Sequence, residues 1–174
     1  MRNFTFNIAD YSKKGQVKLS QEILEADPER ITVIANEEFN YERTWSYLKA
    51  LTLACPVDIR SNGIHNFWDL LRLNSKIDNL NLIIVFDVYN KERLYKTHGE
   101  YICYLTYQNL LVSLDRQQFC VEFLITPENI PYIISKENFI KQLKQRGYKV
   151  TYSFSNDVFT PLMQNDLRKI VSFF

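Results

Sequence analysis

Four acidic residues stand near the predicted ends of strands in this sequence of 174 residues. In an α/β sheet the carboxyl ends of the strands meet at one edge, and ligands usually bind there. Carboxylate oxygens at that edge could hold a divalent cation. The alternative is that these acids begin helices, where a negative charge complements the helix dipole. The four candidate metal ligands are Glu37, Glu38, Asp58 and Asp87.

A metal-dependent nuclease would need more than these acids. It would carry an acidic residue after one strand and a D/E-x-K triplet in the next, so that two carboxylates hold Mg²⁺ and the lysine orients water. Asp87 follows the most apolar predicted strand and suits the first role. No D/E-x-K triplet occurs in the chain, and Glu122 is followed by Phe123 and Leu124. This absence argues against a nuclease, although a degenerate one centred on Asp87 stays an alternative.

Other catalytic chemistry finds little support in the spacing of the relevant residues. The 4 glycines occur in no phosphate-binding motif, which excludes the common nucleotide sites. The 2 histidines are far apart and no C-x-x-C is present, so we expect no zinc. Cys103 and Cys120 fall in a predicted helix and an apolar strand, where a buried thiol is the simpler interpretation. We therefore expect a protein that is not an enzyme.

Basic residues form two groups that could contact nucleic acid. One group surrounds a predicted helix and is interleaved with aromatic residues, and the other lies in the polar stretch after the most apolar strand. Such groups can neutralise phosphates without reading sequence, although a lysine-rich helix face is often only solvated surface. The candidate DNA-binding residues are Lys136, Lys141, Lys144, Arg146 and Lys149 in the first group and Lys91, Arg93 and Lys96 in the second.

Composition limits the partners and the compartment. The formal net charge is +1, so the chain as a whole has no long-range field that would attract nucleic acid. The odd count of 3 cysteines favours a reducing compartment, and no apolar stretch has the length of a signal peptide or a membrane span. We expect a cytoplasmic protein with no membrane partner. Aromatic residues make up 14% of the chain, which would also suit a protein-binding surface.

Strands and helices alternate along the chain, which predicts the α/β class with a largely parallel central sheet, helices on both faces and a single domain over residues 1–174. Val17 and Leu19 are expected to form a hairpin partner for the first strand. Asn40 is expected to cap a helix, and Gly147 to end one. Predicted strands lie near residues 3–8, 31–35, 57–59, 80–86, 119–125 and 150–154, and predicted helices near 40–53, 62–71, 100–114, 135–146 and 162–173.

The order of elements from Val57 onward resembles one known family. Val57–Ile59 leads to a helix, the run Asn81–Phe86 leads to a polar loop and a further helix, and Cys120–Leu124 is followed by Asn129–Ile134. This succession is similar to the accessory adaptation protein of type II-A CRISPR systems, the Csn-two family. That family has a long helical insertion between its halves, and this chain lacks it.

The resemblance implies a homo-oligomeric ring that binds the ends of double-stranded DNA without sequence preference. It also implies bound Ca²⁺, no catalysis, and a role in CRISPR spacer acquisition beside the Cas adaptation proteins. The leading hypothesis is therefore a non-catalytic DNA-binding protein. The alternative is a protein-binding module such as an immunity or inhibitor protein, favoured by the neutral charge and the many aromatic residues.

Overall fold

The computed structural model describes residues 2–8, 15–36, 40–63, 67–86 and 119–174. Its strands are β1 (Asn3–Asn7), β2 (Arg30–Ile34), β3 (Val57–Ser61), β4 (Leu80–Phe86), β5 (Cys120–Ile125) and β6 (Lys149–Phe154). Its helices within those ranges are α1 (Gly15–Ala26), α2 (Tyr41–Thr52), α3 (Phe67–Asn74), α4 (Ile130–Ser135), α5 (Glu137–Gln145) and α6 (Gln164–Val171). Short 3-10 turns at Pro127–Asn129 and Pro161–Met163 precede α4 and α6.

The six strands form one parallel sheet in the order β1-β2-β3-β4-β5-β6. This result confirms the predicted α/β class and its parallel sheet. The spatial order follows the chain order, so these strands contain no point at which the order reverses. Open α/β sheets usually bind their ligands in the crevice at such a reversal. The expectation of a ligand site at the carboxyl edge therefore loses its usual geometric basis in the described sheet.

The described elements divide into two compact units, with the boundary inside β4 between Ile83 and Ile84. The first unit contains β1 to β3 and α1 to α3, and the second contains β5, β6 and α4 to α6. The single domain over residues 1–174 stays a prediction. The described chain contains no helix long and apolar enough to cross a membrane.

The first unit is built on buried aliphatic residues of its strands. Ile31 and Val33 of β2 and Val57 and Ile59 of β3 are fully buried. Asn40 begins α2 as predicted, because its side-chain oxygen accepts a hydrogen bond from the Arg43 amide at 3.0 Å. A capping side chain of this kind satisfies one of the amides that a helix start leaves unpaired.

Two predictions for the first unit are wrong. The segment around Val17 and Leu19 is not a hairpin strand but part of α1, where Leu19 and Ile23 are buried four residues apart. That spacing is helical, and the two-residue alternation was too short to distinguish a strand. Trp68 was expected to face inward but is 56% exposed, because Phe67, Leu70 and Leu71 occupy the buried face of α3.

The second unit packs α4, α5 and α6 around a different apolar cluster. Val121, Phe123 and Ile125 of β5 are fully buried, and the Phe123 ring lies 5.6 Å from the Phe174 ring. The stretch between Pro127 and Pro131 was predicted as a short connection, but it folds into a 3-10 turn and the start of α4. Asn129 makes this possible, since its buried side chain binds the amide of Thr126 and the carbonyl of Leu124.

Gly147 ends α5 and turns the chain into β6. Its φ is +87°, a left-handed conformation in which an L side chain is strained, as predicted for this position. The Tyr148 amide donates to the Leu143 carbonyl at 3.1 Å, which satisfies one of the last carbonyls of the helix. This tight turn places the basic residues of α5 close along the chain to those that begin β6.

Candidate nucleic-acid interface

The first basic group predicted from the sequence lies on α5, its two ends and the first residue of β6, and we call it the basic segment. It comprises Lys136, Lys141, Lys144, Arg146 and Lys149, and Glu137 is its only acidic neighbour between positions 136 and 149. Ile140 and Leu143 are buried and anchor α5 to the second unit. Because α5 buries one face, its charged residues lie on the rest of the helix.

Lys141 is held in an ion pair on the helix surface. Its Nζ lies 2.6 Å from the Glu137 Oε1, one turn earlier on α5. The hydrogen bond from Lys141 lowers the pKa of Glu137, and the positive charges of Lys141 and Lys169 act in the same direction against a small effect of desolvation. Glu137 therefore stays ionised at neutral pH and offsets one positive charge of the basic segment.

Lys144 has a structural task at the end of the chain. Its Nζ donates to the backbone carbonyls of Phe173 at 3.0 Å and Phe174 at 2.9 Å. These carbonyls follow α6, where a cation is favoured by the helix dipole. Lys144 therefore fastens α5 to the residues after α6, and its ammonium protons are largely used there.

Lys136 and Lys149 are differently placed. Lys136 lies at the junction of α4 and α5, with its Nζ 4.7 Å from the centre of the Tyr132 ring. Lys149 is exposed at the first position of β6, opposite Cys120 of β5. Arg146 caps the carboxyl end of α5 and has interactions of its own. These three side chains carry their charge on the border of α5.

The structure adds two basic residues that the sequence analysis did not include. Arg168 and Lys169 lie in the last turn of α6, and the charge of Lys169 acts on Glu137 of α5. Only the packing of α6 in the second unit brings this pair near a segment more than twenty positions earlier. We call the basic segment together with Arg168 and Lys169 the basic surface.

The second basic group and most of the predicted metal ligands lie outside the described residues. This applies to Lys91, Arg93, Lys96, Glu37, Glu38 and Asp87. Their proposed roles in DNA and cation binding stay predictions. Within the described ranges no three histidine, cysteine or acidic side chains form a group that could hold a metal ion.

Asp58 is the one predicted metal ligand that the structure describes. Its Oδ1 accepts hydrogen bonds from Arg30 at 2.7 Å and Asn81 at 3.0 Å, so the carboxylate connects β2, β3 and β4. Asp58 is the second residue of β3, and the expectation that it lies at the carboxyl edge is wrong for this strand. A part-buried carboxylate beside an arginine is already neutralised, which explains its place in the sheet.

Cys120 does not sit in an apolar environment as predicted. The residue is half-buried at the start of β5, and its Sγ lies 3.4 Å from the Thr151 hydroxyl. Two residues later, Glu122 is buried and accepts a hydrogen bond from Ser153 at 2.5 Å. Polar side chains therefore connect β5 to β6 on one face of the sheet. Cys103 lies outside the described residues.

An exposed apolar stretch follows β6 and was missed by the sequence analysis. Phe154, Val158 and Leu162 are 44%, 87% and 93% exposed, and we call them the apolar segment. The Phe154 ring also lies 5.5 Å from the Phe159 ring. These residues show no strand or helix periodicity, so their positions in the sequence alone did not predict a surface.

No family model, no curated protein and no solved structure matches the chain.

Proposed function

We propose that this protein binds double-stranded DNA without sequence preference and without catalysis, through the basic surface of its second unit. The observation that carries the proposal is the concentration of charge there. Five basic residues and one acidic residue lie between positions 136 and 149, in a chain whose formal net charge is only +1. The packing of α6 adds Arg168 and Lys169.

The chemistry of lysine and arginine suits the phosphate backbone. Each neutralised phosphate releases counterions, so the logarithm of the affinity falls with the logarithm of the salt concentration by about 0.9 per phosphate. Glu137 and the carbonyls of Phe173 and Phe174 engage part of the positive charge. We therefore expect about three to five phosphate contacts, and a Kd on the order of 10⁻⁴ to 10⁻⁶ M at physiological salt.

Fluorescence anisotropy with a labelled linear duplex tests the proposal over a salt series. The double variant Lys136→Gln/Lys141→Gln removes two charges from the basic surface and should weaken binding and flatten the salt dependence. Its control is Lys18→Gln/Lys49→Gln, which makes the same change on exposed helices of the first unit, and Lys18 there pairs with Glu22 as Lys141 pairs with Glu137. Equal losses in both variants, or no binding by the wild type at low salt, would refute the proposal.

The resemblance to the Csn-two family extends this proposal to the ends of DNA, with Ca²⁺ bound, in a cytoplasmic homo-oligomer that works beside the Cas adaptation proteins in spacer acquisition. A linear duplex should then bind more tightly than a closed circle of the same sequence, and Ca²⁺ should strengthen binding. Equal affinity for the two DNA forms would remove the extension and leave general DNA binding intact.

A second candidate function is a protein-binding module, and Trp68 is the observation that favours it. The side chain is 56% exposed on α3, and its ring meets that of Phe67 edge-on at 5.5 Å. Tryptophan is enriched among the residues that dominate protein interfaces. After nuclease treatment, one stoichiometric protein should co-purify with the wild type and be lost with Trp68→Ala. Retention in that variant would exclude this surface.

A further inference from the structure

Strand β6 ends the sheet and has a neighbour on one side only. It pairs in parallel with β5, from Cys120 opposite Lys149 to Ile125 opposite Phe154. The ladder continues with the Ser155 amide, which donates to the Ile125 carbonyl. Backbone groups alternate in direction along a strand, so the odd positions of β6 face β5. The amides and carbonyls of Val150, Tyr152 and Phe154 therefore face away from β5.

This edge carries little of the protection that exposed edges usually have. Natural proteins block edge strands with charged side chains, prolines, bulges or very short strands. Lys149 is the only charged residue in β6, which contains no proline and runs in unbroken register with β5. Phe154 is 44% exposed at the end of the strand, and the rest of the apolar segment follows it. The edge is suited to pairing with another strand.

We propose that the occupant is a second copy of this chain, whose β6 pairs with this one in antiparallel orientation about a two-fold axis. In an antiparallel pair, residues with outward backbone groups must lie opposite one another. With the axis at Ser153, Tyr152 lies opposite Phe154 of the partner subunit, and Phe154 lies opposite the partner's Tyr152. Aromatic cross-strand pairs of this kind stabilise sheets, and the symmetry makes each one twice.

Charge complementarity favours a second copy over an unrelated strand. With the axis at Ser153, Lys149 comes opposite the partner's Asp157, and Asp157 opposite the partner's Lys149. Both residues are exposed, and neither makes an ion pair with any other residue that the structure describes. One edge therefore presents both halves of a complementary pair, which is the requirement for a two-fold interface.

The register can be tested separately from the association itself. An axis at Tyr152 would also bring outward backbone groups together, but it would place Lys149 opposite the partner's Ser155. Only the axis at Ser153 pairs the two charges. Charge substitutions therefore distinguish the two arrangements, whereas substitutions of apolar residues would not.

Sedimentation velocity of the full chain without DNA, over a concentration series, provides the test. We expect a dimer, and a dimer Kd that rises on the order of tenfold or more in Lys149→Asp and in Asp157→Lys, because each places like charges opposite one another twice. The double variant Lys149→Asp/Asp157→Lys should restore the dimer. A mixture of the two single variants should form a heterodimer. Lys49→Asp and Asp78→Lys make matched changes at exposed sites of the first unit and should have no effect.

A backbone variant tests the strand pairing directly. Phe154→Pro removes an amide that faces away from β5, so the fold should remain while the dimer is lost. Circular dichroism of every variant establishes that it is folded. A monomer at all concentrations overturns the proposal, as does a dimer that survives the single charge changes or Phe154→Pro, or one that the double variant does not restore. A monomer that instead captures another protein through β6 also overturns it.

Discussion

The two edge strands of the sheet pair with one neighbour each, but they differ in what they present. In β1, Phe6 is buried against Tyr47, and the exposed positions are the polar residues Asn3 and Thr5. In β6, Phe154 is exposed and the apolar segment continues beyond it. The comparison shows that an edge position does not by itself make a binding surface, because the side chains decide whether the edge is polar or adhesive.

The links of each edge strand to its neighbour differ as well. Asn3 exchanges two hydrogen bonds with Thr32 of β2, at 3.0 and 3.2 Å, and both groups are neutral. Ser153 donates instead to the buried carboxylate of Glu122 at 2.5 Å. A hydrogen bond to an ionised group is stronger, and a buried charge that loses a donor is costly. The stability of β6 should therefore depend more on one side-chain bond.

The largest expected effect separates the two aromatic residues of the edges. Phe6→Ala should lower the free energy of unfolding by about 3–5 kcal/mol, because Phe6 is only 7% exposed and its loss leaves a cavity. Phe154→Ala should cost much less stability and instead weaken self-association. Urea denaturation at a protein concentration below the dimer Kd measures the first effect, and sedimentation the second. Equal losses of stability would contradict the comparison.

The next effect concerns the polar links. Ser153→Ala removes a donor to Glu122 and should lower the free energy of unfolding by about 1.5–3 kcal/mol, the range for bonds to charged groups. Asn3→Ala should cost about 0.5–1.5 kcal/mol, since its bonds are neutral and part-buried. The same denaturation experiment ranks the two variants, and a reversed order would show that Glu122 does not depend on Ser153.

The turn that leads into β6 should have a smaller effect. Gly147→Ala places a side chain at φ +87° with nothing within 4 Å of the new Cβ, so the cost is conformational and not steric. We expect a loss of about 1–2 kcal/mol in the free energy of unfolding. The dimer measured by sedimentation should persist in the folded variant. No loss of stability would mean that the turn adapts without strain.

The smallest effect is the pH dependence of the Lys141–Glu137 pair. The pKa of Glu137 is lowered below its ordinary value of 4.5, so the pair stabilises the folded state above that value and stops doing so as the pH falls through the folded pKa. Lys141→Met should therefore unfold at a slightly lower temperature than the wild type at pH 7, and at the same temperature at pH 2. A difference that grows on acidification would contradict this assignment.

Most of the sheet could be predicted because its strands carry local signals. The aliphatic run Leu80–Phe86 and the β5 residues Cys120–Ile125 lie where the sequence placed them. The alternation before Phe154 correctly indicated an edge strand. Gly147 was predictable for the same reason, since a glycine after a helical pattern marks a left-handed turn.

The functional surface was harder to predict because it depends on packing. The sequence showed the charges of Lys141 and Lys144, but not that one pairs with Glu137 and the other binds the carbonyls of Phe173 and Phe174. The contribution of Lys169 requires α6 to pack beside α5. Trp68 was placed inward because adjacent helical positions differ by only about 100° and periodicity is not that selective.

Hydrogen–deuterium exchange of the full chain tests most directly whether the second unit carries the binding surfaces. The exchange would be followed at low and high protein concentration, with and without a linear duplex. We expect the duplex to slow exchange in residues 136–149, high concentration to slow it in residues 149–158, and neither to change it in Asn3–Asn7. Protection confined to β1, or no protection in the second unit under either condition, would contradict the account.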